Sequence, residues 1–131
     1  MDEIKLSDLQ KIDGDLGSVY HIYRDINVKV KEVYLSTVKA GKTKGWKLHK
    51  KMTLNLAVVK GDVKFYVENP VTEARSEFII GDSNYKRLTV PPNFWVAFQG
   101  LGAENIVINV ADYGHDEEEY IVRPVINEDL S

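Results

Sequence analysis

The 131-residue sequence has no cysteine, so it has no disulfide framework, no thiolate nucleophile and no cysteine-ligated metal. Its apolar runs are all short, whereas a spanning helix needs about 20 apolar residues. The first residues, Met1-Asp2-Glu3, are acidic, and no apolar stretch of signal-peptide type follows them. Surplus positive charge is also lacking: the net charge is −3, which gives no electrostatic reason to expect nucleic acid or an anionic membrane as partner. No segment sustains a 3.6-residue apolar period over a helical length. The expectation is a soluble, cytoplasmic protein without helices of note, large enough to bury a core as one domain over residues 1–131.

What is present is ordinary in amount, with 44% hydrophobic and 28% charged residues, and orderly in arrangement. Short β-forming runs alternate with turn residues at spacings of about 8–12 residues, the pattern of an all-β sandwich or barrel. Residues 1–13 alternate weakly and suit an edge strand or an arm, and Gly14-Asp15-Leu16-Gly17 is a turn. Strands are predicted over Ser18 to Asp25, Val28 to Val38, Asp62 to Asn69, Ser76 to Ile80, Tyr85 to Val90, Phe94 to Phe98, Asn105 to Tyr113 and Tyr120 to Ile126. Asp116 to Glu119 reads as an acidic surface loop.

The stretch Gly41 to Gly61, GKTKGWKLHKKMTLNLAVVKG, carries the chemistry. Read as one strand, it puts Trp46 and Leu48 on one face and Lys47 and His49 on the other, because successive side chains point oppositely. Met52, Leu54, Leu56 and Val58 continue an apolar face up to the Gly61-Asp62 turn. If the Lys47–His49 face lines a barrel interior, two proton-handling groups share one pocket.

The spacing resembles the cupin motif G-x5-H-x-H-x3-4-E-x6-G, here Gly41-x5-Lys47-x-His49-x4-Leu54-x6-Gly61. Lys47 and Leu54 stand where two metal ligands would be, and neither a cation nor a hydrocarbon completes a three-ligand site. Together with GDLGSVYHIYRD, KEVYLSTV, the PP-aromatic strand of GDSNYKRLTVPPNFWVAFQG, and NVADYGHDEEE, the chain resembles the metal-free cupins related to dTDP-4-dehydrorhamnose 3,5-epimerases and sugar 3,4-ketoisomerases. The resemblance implies a jelly-roll barrel (a double-stranded β-helix), a homodimer with residues 1–25 as interface arm or strands, no cofactor, and a nucleotide-diphosphate 4-keto-deoxysugar as substrate. It implies an epimerase or isomerase of deoxysugar or surface-polysaccharide biosynthesis. A 3,4-ketoisomerase and a non-catalytic nucleotide-sugar binder are the alternatives.

A ketone acidifies the neighbouring C–H bonds, so such chemistry needs a base, an acid and a donor for the enolate oxygen. By resemblance, Lys44 falls on a sugar-facing arginine, Lys47 on the epimerases' catalytic histidine, and His49 on the ketoisomerases' second histidine, which serves as their base. Tyr113 is the candidate acid, with Ile108 as the other register. His49 is either that base or a buried, hydrogen-bonded histidine. Lys47 is a base, an electrophile or a solvated lysine at the mouth. Arg24 and His21 are candidates for the nucleotide, from a partner subunit. Tyr34, Asn55 and Trp46 are the remaining substrate-binding candidates, each with plain packing as the alternative.

Overall fold

The computed structural model describes residues 3–24 and 29–126. The strands, in chain order, are β1 (Lys5–Asp8), β2 (Lys11–Gly14), β3 (Gly17–Tyr20), β4 (Glu32–Thr37), β5 (Thr43–His49), β6 (Leu54–Lys60), β7 (Asp62–Glu68), β8 (Arg75–Gly81), β9 (Lys86–Val90), β10 (Trp95–Gly100), β11 (Ile106–Ala111) and β12 (Tyr120–Arg123). No helix occurs among the described residues.

Two five-stranded antiparallel sheets, β1-β9-β6-β11-β4 and β12-β5-β10-β7-β8, face each other, and β2 and β3 form a separate hairpin. Alternation explains the packing. Leu54, Leu56 and Val58 of β6 meet Val63, Phe65 and Val67 of β7, with Leu88 and Val90 of β9, Val96 of β10 and Val107 of β11, in one core between the sheets. Full burial of such a side chain contributes about 1.5–3 kcal/mol. The expected jelly-roll architecture is what these sheets form.

The Gly41–Gly61 stretch is not one strand. β5 and β6 lie in different sheets, and residues 50–53 turn the corner between them. The faces exchange at that corner. Leu54, Leu56 and Val58 point into the barrel, whereas Trp46 and Leu48, of the same parity, point out of it. Trp46 is fully buried there against Tyr66 and Ala97, with Trp95 and Val125 packed over them. Arg123 and Arg75 stack on its ring at 4.5 and 5.0 Å, and both pair with Glu68 at 2.9 and 2.7 Å.

Two strand boundaries differ most from the expected ones. The strand expected over Ser18 to Asp25 ends at Tyr20; the His21 amide still donates to the Gln10 carbonyl at 2.9 Å, and the carbonyls of His21 and Ile22 accept from Tyr85 Oη at 2.8 Å and Arg87 Nη1 at 3.2 Å. The Val28 to Val38 strand begins at Glu32. Asp25 and Val28 lie outside the described residues. Glu119, assigned to an acidic surface loop, is buried.

Two motif glycines separate conformational from steric demand. Both adopt positive φ, +73° at Gly41 and +77° at Gly61. A Cβ on Gly41 would meet nothing within 4 Å, whereas one on Gly61 would sit 2.2 Å from the Glu104 carbonyl oxygen. Gly41→Ala is therefore expected to cost about 1–2 kcal/mol, the left-handed penalty alone. Gly61→Ala must also displace backbone and should lower the melting temperature by at least twice as much. Equal shifts for the two variants would refute this reading of Gly61.

Candidate active site

β4, β5, β6, β10 and β11 enclose a chamber of about 200 Å³ between the sheets. Its walls include Tyr34, Ser36, Lys44, Lys47, His49, Leu54 and Asn109. A second space of about 170 Å³ shares Tyr34, Lys47 and His49 with it and adds Glu32, Met52, His115, Glu119 and Tyr120. Each is below the roughly 300–1,000 Å³ of a pocket for a whole drug-sized ligand. The two adjoining spaces suit a sugar ring, with anything larger lying along the mouth.

Lys47 and His49 line the interior as alternation requires. Lys44, three residues before Lys47, would by strict alternation share Trp46's outward face. A β-bulge prevents this. Val96 pairs with Lys47 but Phe98 pairs with Lys44, so Gly45 and Trp46 together oppose Ala97. Such an extra residue re-aims the side chains beside it, and Lys44 joins Lys47 on the chamber wall.

His49 Nδ1 is hydrogen-bonded to Glu119 Oε1. Glu119 is the last residue before β12, whose Tyr120 is registered opposite His49, and its side chain is 2% exposed. Its Oε2 accepts from the backbone amides of Lys50, Lys51 and Met52 at 3.1, 3.0 and 3.2 Å. The corner that switches sheets is thus also the cradle of the carboxylate. Burial pushes this carboxyl up, but the bonds from His49 and the amides outweigh it and hold Glu119 below the usual glutamate range. An ionised Glu119 accepts from Nδ1–H and fixes the tautomer, leaving Nε2 with its lone pair.

Tyr34, on β4 opposite Asn109 of β11, accepts a bond from Asn109 Nδ2 at 2.9 Å. Burial pushes its hydroxyl above the ordinary tyrosine range, against the Asn109 bond. It stays protonated and able to donate. Lys47 Nζ stands 4.2 Å from the Tyr120 ring centroid. Burial first, then Lys44, lower its pKa, against the attraction of Glu119.

Of the residues singled out in the sequence, Lys44, Lys47, His49 and Tyr34 converge here. The others do not. Trp46 is on the outer face. Asn55 alternates with Leu54 and Leu56 and so also points outward, where it donates to the Val110 carbonyl at 3.2 Å and accepts from Thr89 Oγ1 at 2.8 Å. Tyr113 packs against the core under Lys51 and lines neither space. Ile108 is registered opposite the outward-facing Leu35. His21 and Arg24 line a separate cleft with Asp8 and Arg87. Leu54 lines the chamber without a donor atom, and no three His, Asp or Glu side chains among the described residues converge to hold a metal ion.

Glu119 and Asn109 were missed. Four acidic residues in a row conceal that the last belongs to a strand edge, and an asparagine in an apolar strand reads as sheet filler.

Residues 2–125 match the family described as FdtA: WxcM-like, C-terminal. The chain belongs to this family. The sequence-level resemblance to metal-free cupin sugar isomerases agrees with that membership. No curated protein matches the chain, but solved structures do. One is a dTDP sugar isomerase from Desulfovibrio desulfuricans G20, 28% identical, with TM-score 0.88, covering 92% of this chain and 83% of its own. Another is the sugar 3,4-ketoisomerase QdtA from Thermoanaerobacterium thermosaccharolyticum in complex with TDP, 24% identical, TM-score 0.77, covering 90% and 86%. The dTDP-4-dehydrorhamnose 3,5-epimerase of Bacillus anthracis is 19% identical, TM-score 0.79, covering 90% and 77%. The last two likenesses speak for the fold alone.

Proposed function

We propose that this chain is an isomerase of nucleotide-diphosphate-linked 4-keto-deoxysugars, acting by proton abstraction beside the ketone in deoxysugar or surface-polysaccharide biosynthesis. The observation that carries the reading is the His49–Glu119 pair opening into a chamber that also holds Lys47 and Tyr34. Family membership and the dTDP sugar isomerase likeness support the substrate class. His49 Nε2 takes the proton from the carbon next to the ketone, and Glu119 stabilises the imidazolium that forms. Lys47 or Lys44 offers charge to the enolate oxygen, and Tyr34, kept protonated, is the proton donor in place of Tyr113. No cofactor is needed for these steps.

Return of the proton to the same carbon from the other face inverts it. Return to the carbonyl carbon moves the ketone to C3. This second reading, a 3,4-ketoisomerase, is favoured by the match of His49 to the second histidine of those enzymes. We further propose a cytoplasmic homodimer. Val33 and Leu35 on the outer face of β4 are 58% and 63% exposed, and the β2–β3 hairpin presents Ile12 and Val19 to solvent. A partner arm bringing Arg24 and His21 to the mouth would place cations near a diphosphate.

The test is proton NMR of dTDP-4-keto-6-deoxyglucose in deuterated buffer. Protein-dependent loss of the H3 or H5 signal is expected, and the product spectrum separates epimer from 3-ketone. TDP is expected to raise the melting temperature by mass action. A thermal shift without exchange at either carbon would leave a binding protein and overturn the enzymatic reading.

A further inference from the structure

Lys47 can offer charge to an enolate only if its ammonium group is held in place and kept protonated. Among the described residues its Nζ has no hydrogen bond or ion pair; it stands over the face of Tyr120, 4.2 Å from the ring centroid. The register explains the contact. Tyr120 lies opposite His49 and Val122 opposite Lys47, so Lys47 and Tyr120 are diagonal neighbours on one face, a separation that aromatic and long side chains span. Val122, directly across, is a hydrocarbon and 67% exposed, and it offers the ammonium nothing. Glu119, one residue before Tyr120, bonds His49. Two consecutive residues at the start of β12 therefore each hold one of the two inward groups of β5.

The influences on the Lys47 charge are opposed. Burial and the Lys44 ammonium favour the neutral amine, whereas Glu119 favours the charged form. The negative face of an aromatic ring adds to the side of Glu119. Lys44 shares the chamber wall but is exposed, while Lys47 is half-buried, where a charge acts through a lower effective dielectric.

We propose that Tyr120 is a positioning residue for the reaction: its ring face holds the Lys47 ammonium against the chamber, where it meets the oxygen of the developing enolate. The inference rests on the ketosugar reading above and deepens it, selecting Lys47 over Lys44 as the cation that faces that oxygen. Tyr120 itself touches no reacting atom, and its hydroxyl takes no part. The contact tells in the transition state, because the ketone oxygen gains its charge only as the neighbouring proton leaves.

The experiment compares the full chain with Tyr120→Phe, which keeps the ring, and Tyr120→Leu, which keeps an apolar side chain without one. Proton exchange into dTDP-4-keto-6-deoxyglucose in deuterated buffer gives kcat and KM. NMR of lysine-labelled protein, with Lys47 assigned through Lys47→Arg, follows its ε-methylene against pH without any ligand. In Tyr120→Leu kcat is expected to fall about 5–30-fold, the strength of a partly desolvated cation–π contact converted to a rate, with KM and melting temperature unchanged. The Lys47 ε-methylene protons, shifted upfield by the ring in the wild type, should return to the ordinary lysine position, and the ammonium should deprotonate at lower pH. Glu119, Lys44, His49, Glu32, Tyr34 and His115, the charged and titratable groups around it, are all retained, so that difference reports the ring. Tyr120→Phe should restore kcat and the Lys47 titration together. Wild-type kcat in Tyr120→Leu, an equal loss in Tyr120→Phe, or a Lys47 titration that neither substitution moves would overturn the proposal and leave the ketosugar reading standing. A lower melting temperature with an unmoved titration would make Tyr120 a packing residue. Absence of exchange in the wild type would overturn the ketosugar reading and the role of Tyr120 with it.

Discussion

His49→Asn is expected to lower protein-dependent proton exchange by about 10²–10⁴-fold, the usual contribution of a positioned general base, with little change in melting temperature. Asparagine keeps a donor for Glu119, so the buried carboxylate is not left unpaired, but an amide nitrogen has no lone pair to take a proton. The two effects are therefore separable in one variant. TDP should still raise the melting temperature, because the nucleotide does not need the base. Exchange at the wild-type rate would remove His49 from the mechanism. Loss of exchange with a melting temperature many degrees lower would instead make it a structural histidine, the alternative that its bond to Glu119 alone does not exclude.

The way these residues come together shows what strand periodicity can and cannot carry. Alternation along β5 placed Lys47 and His49 side by side and inward, and they are. Alternation continued through residues 50–53 failed, because a corner between sheets resets which parity faces the core: Trp46 is outside and Leu54 inside. The bulge at Gly45 was invisible for the same reason. It is defined by the partner strand β10, so Lys44 reaches the chamber through a pairing that no local pattern encodes. Asn55, a substrate-binding candidate in the sequence, points outward instead, since it alternates with Leu54 and Leu56, whose inward face excludes it. Tyr113, two residues past the end of β11, was chosen by likeness, whereas the chamber takes its tyrosine from β4, where Tyr34 meets Asn109. Glu119 joins His49 across 70 positions of sequence, and only the β5–β12 register brings them together.

Glu119 is the residue whose loss should reach both stability and activity, and two substitutions divide the effects. Glu119→Ala removes the side-chain acceptor of the amides of Lys51 and Met52 at the corner, whereas the Lys50 amide keeps the backbone carbonyl of residue 119 at 2.7 Å. Each buried donor left unsatisfied costs about 1–3 kcal/mol. Because water can reach part of a collapsed corner, the sum is expected nearer 3–5 kcal/mol, the range for breaking a buried charged pair. Glu119→Gln keeps one carbonyl oxygen for the amides and should retain most of that stability. It carries no charge to hold the imidazolium, so exchange should fall while the fold persists. The pH dependence follows with a definite sign. Glu119's carboxyl titrates lower in the folded chain than in the unfolded one, so its stabilisation is complete above the ordinary glutamate pKa and is lost as pH falls through the folded value. Acid melting curves of wild type and Glu119→Gln should therefore converge below the usual glutamate range and separate above it. Parallel curves across that range would mean that the carboxylate of Glu119 is not what holds the corner and the base together.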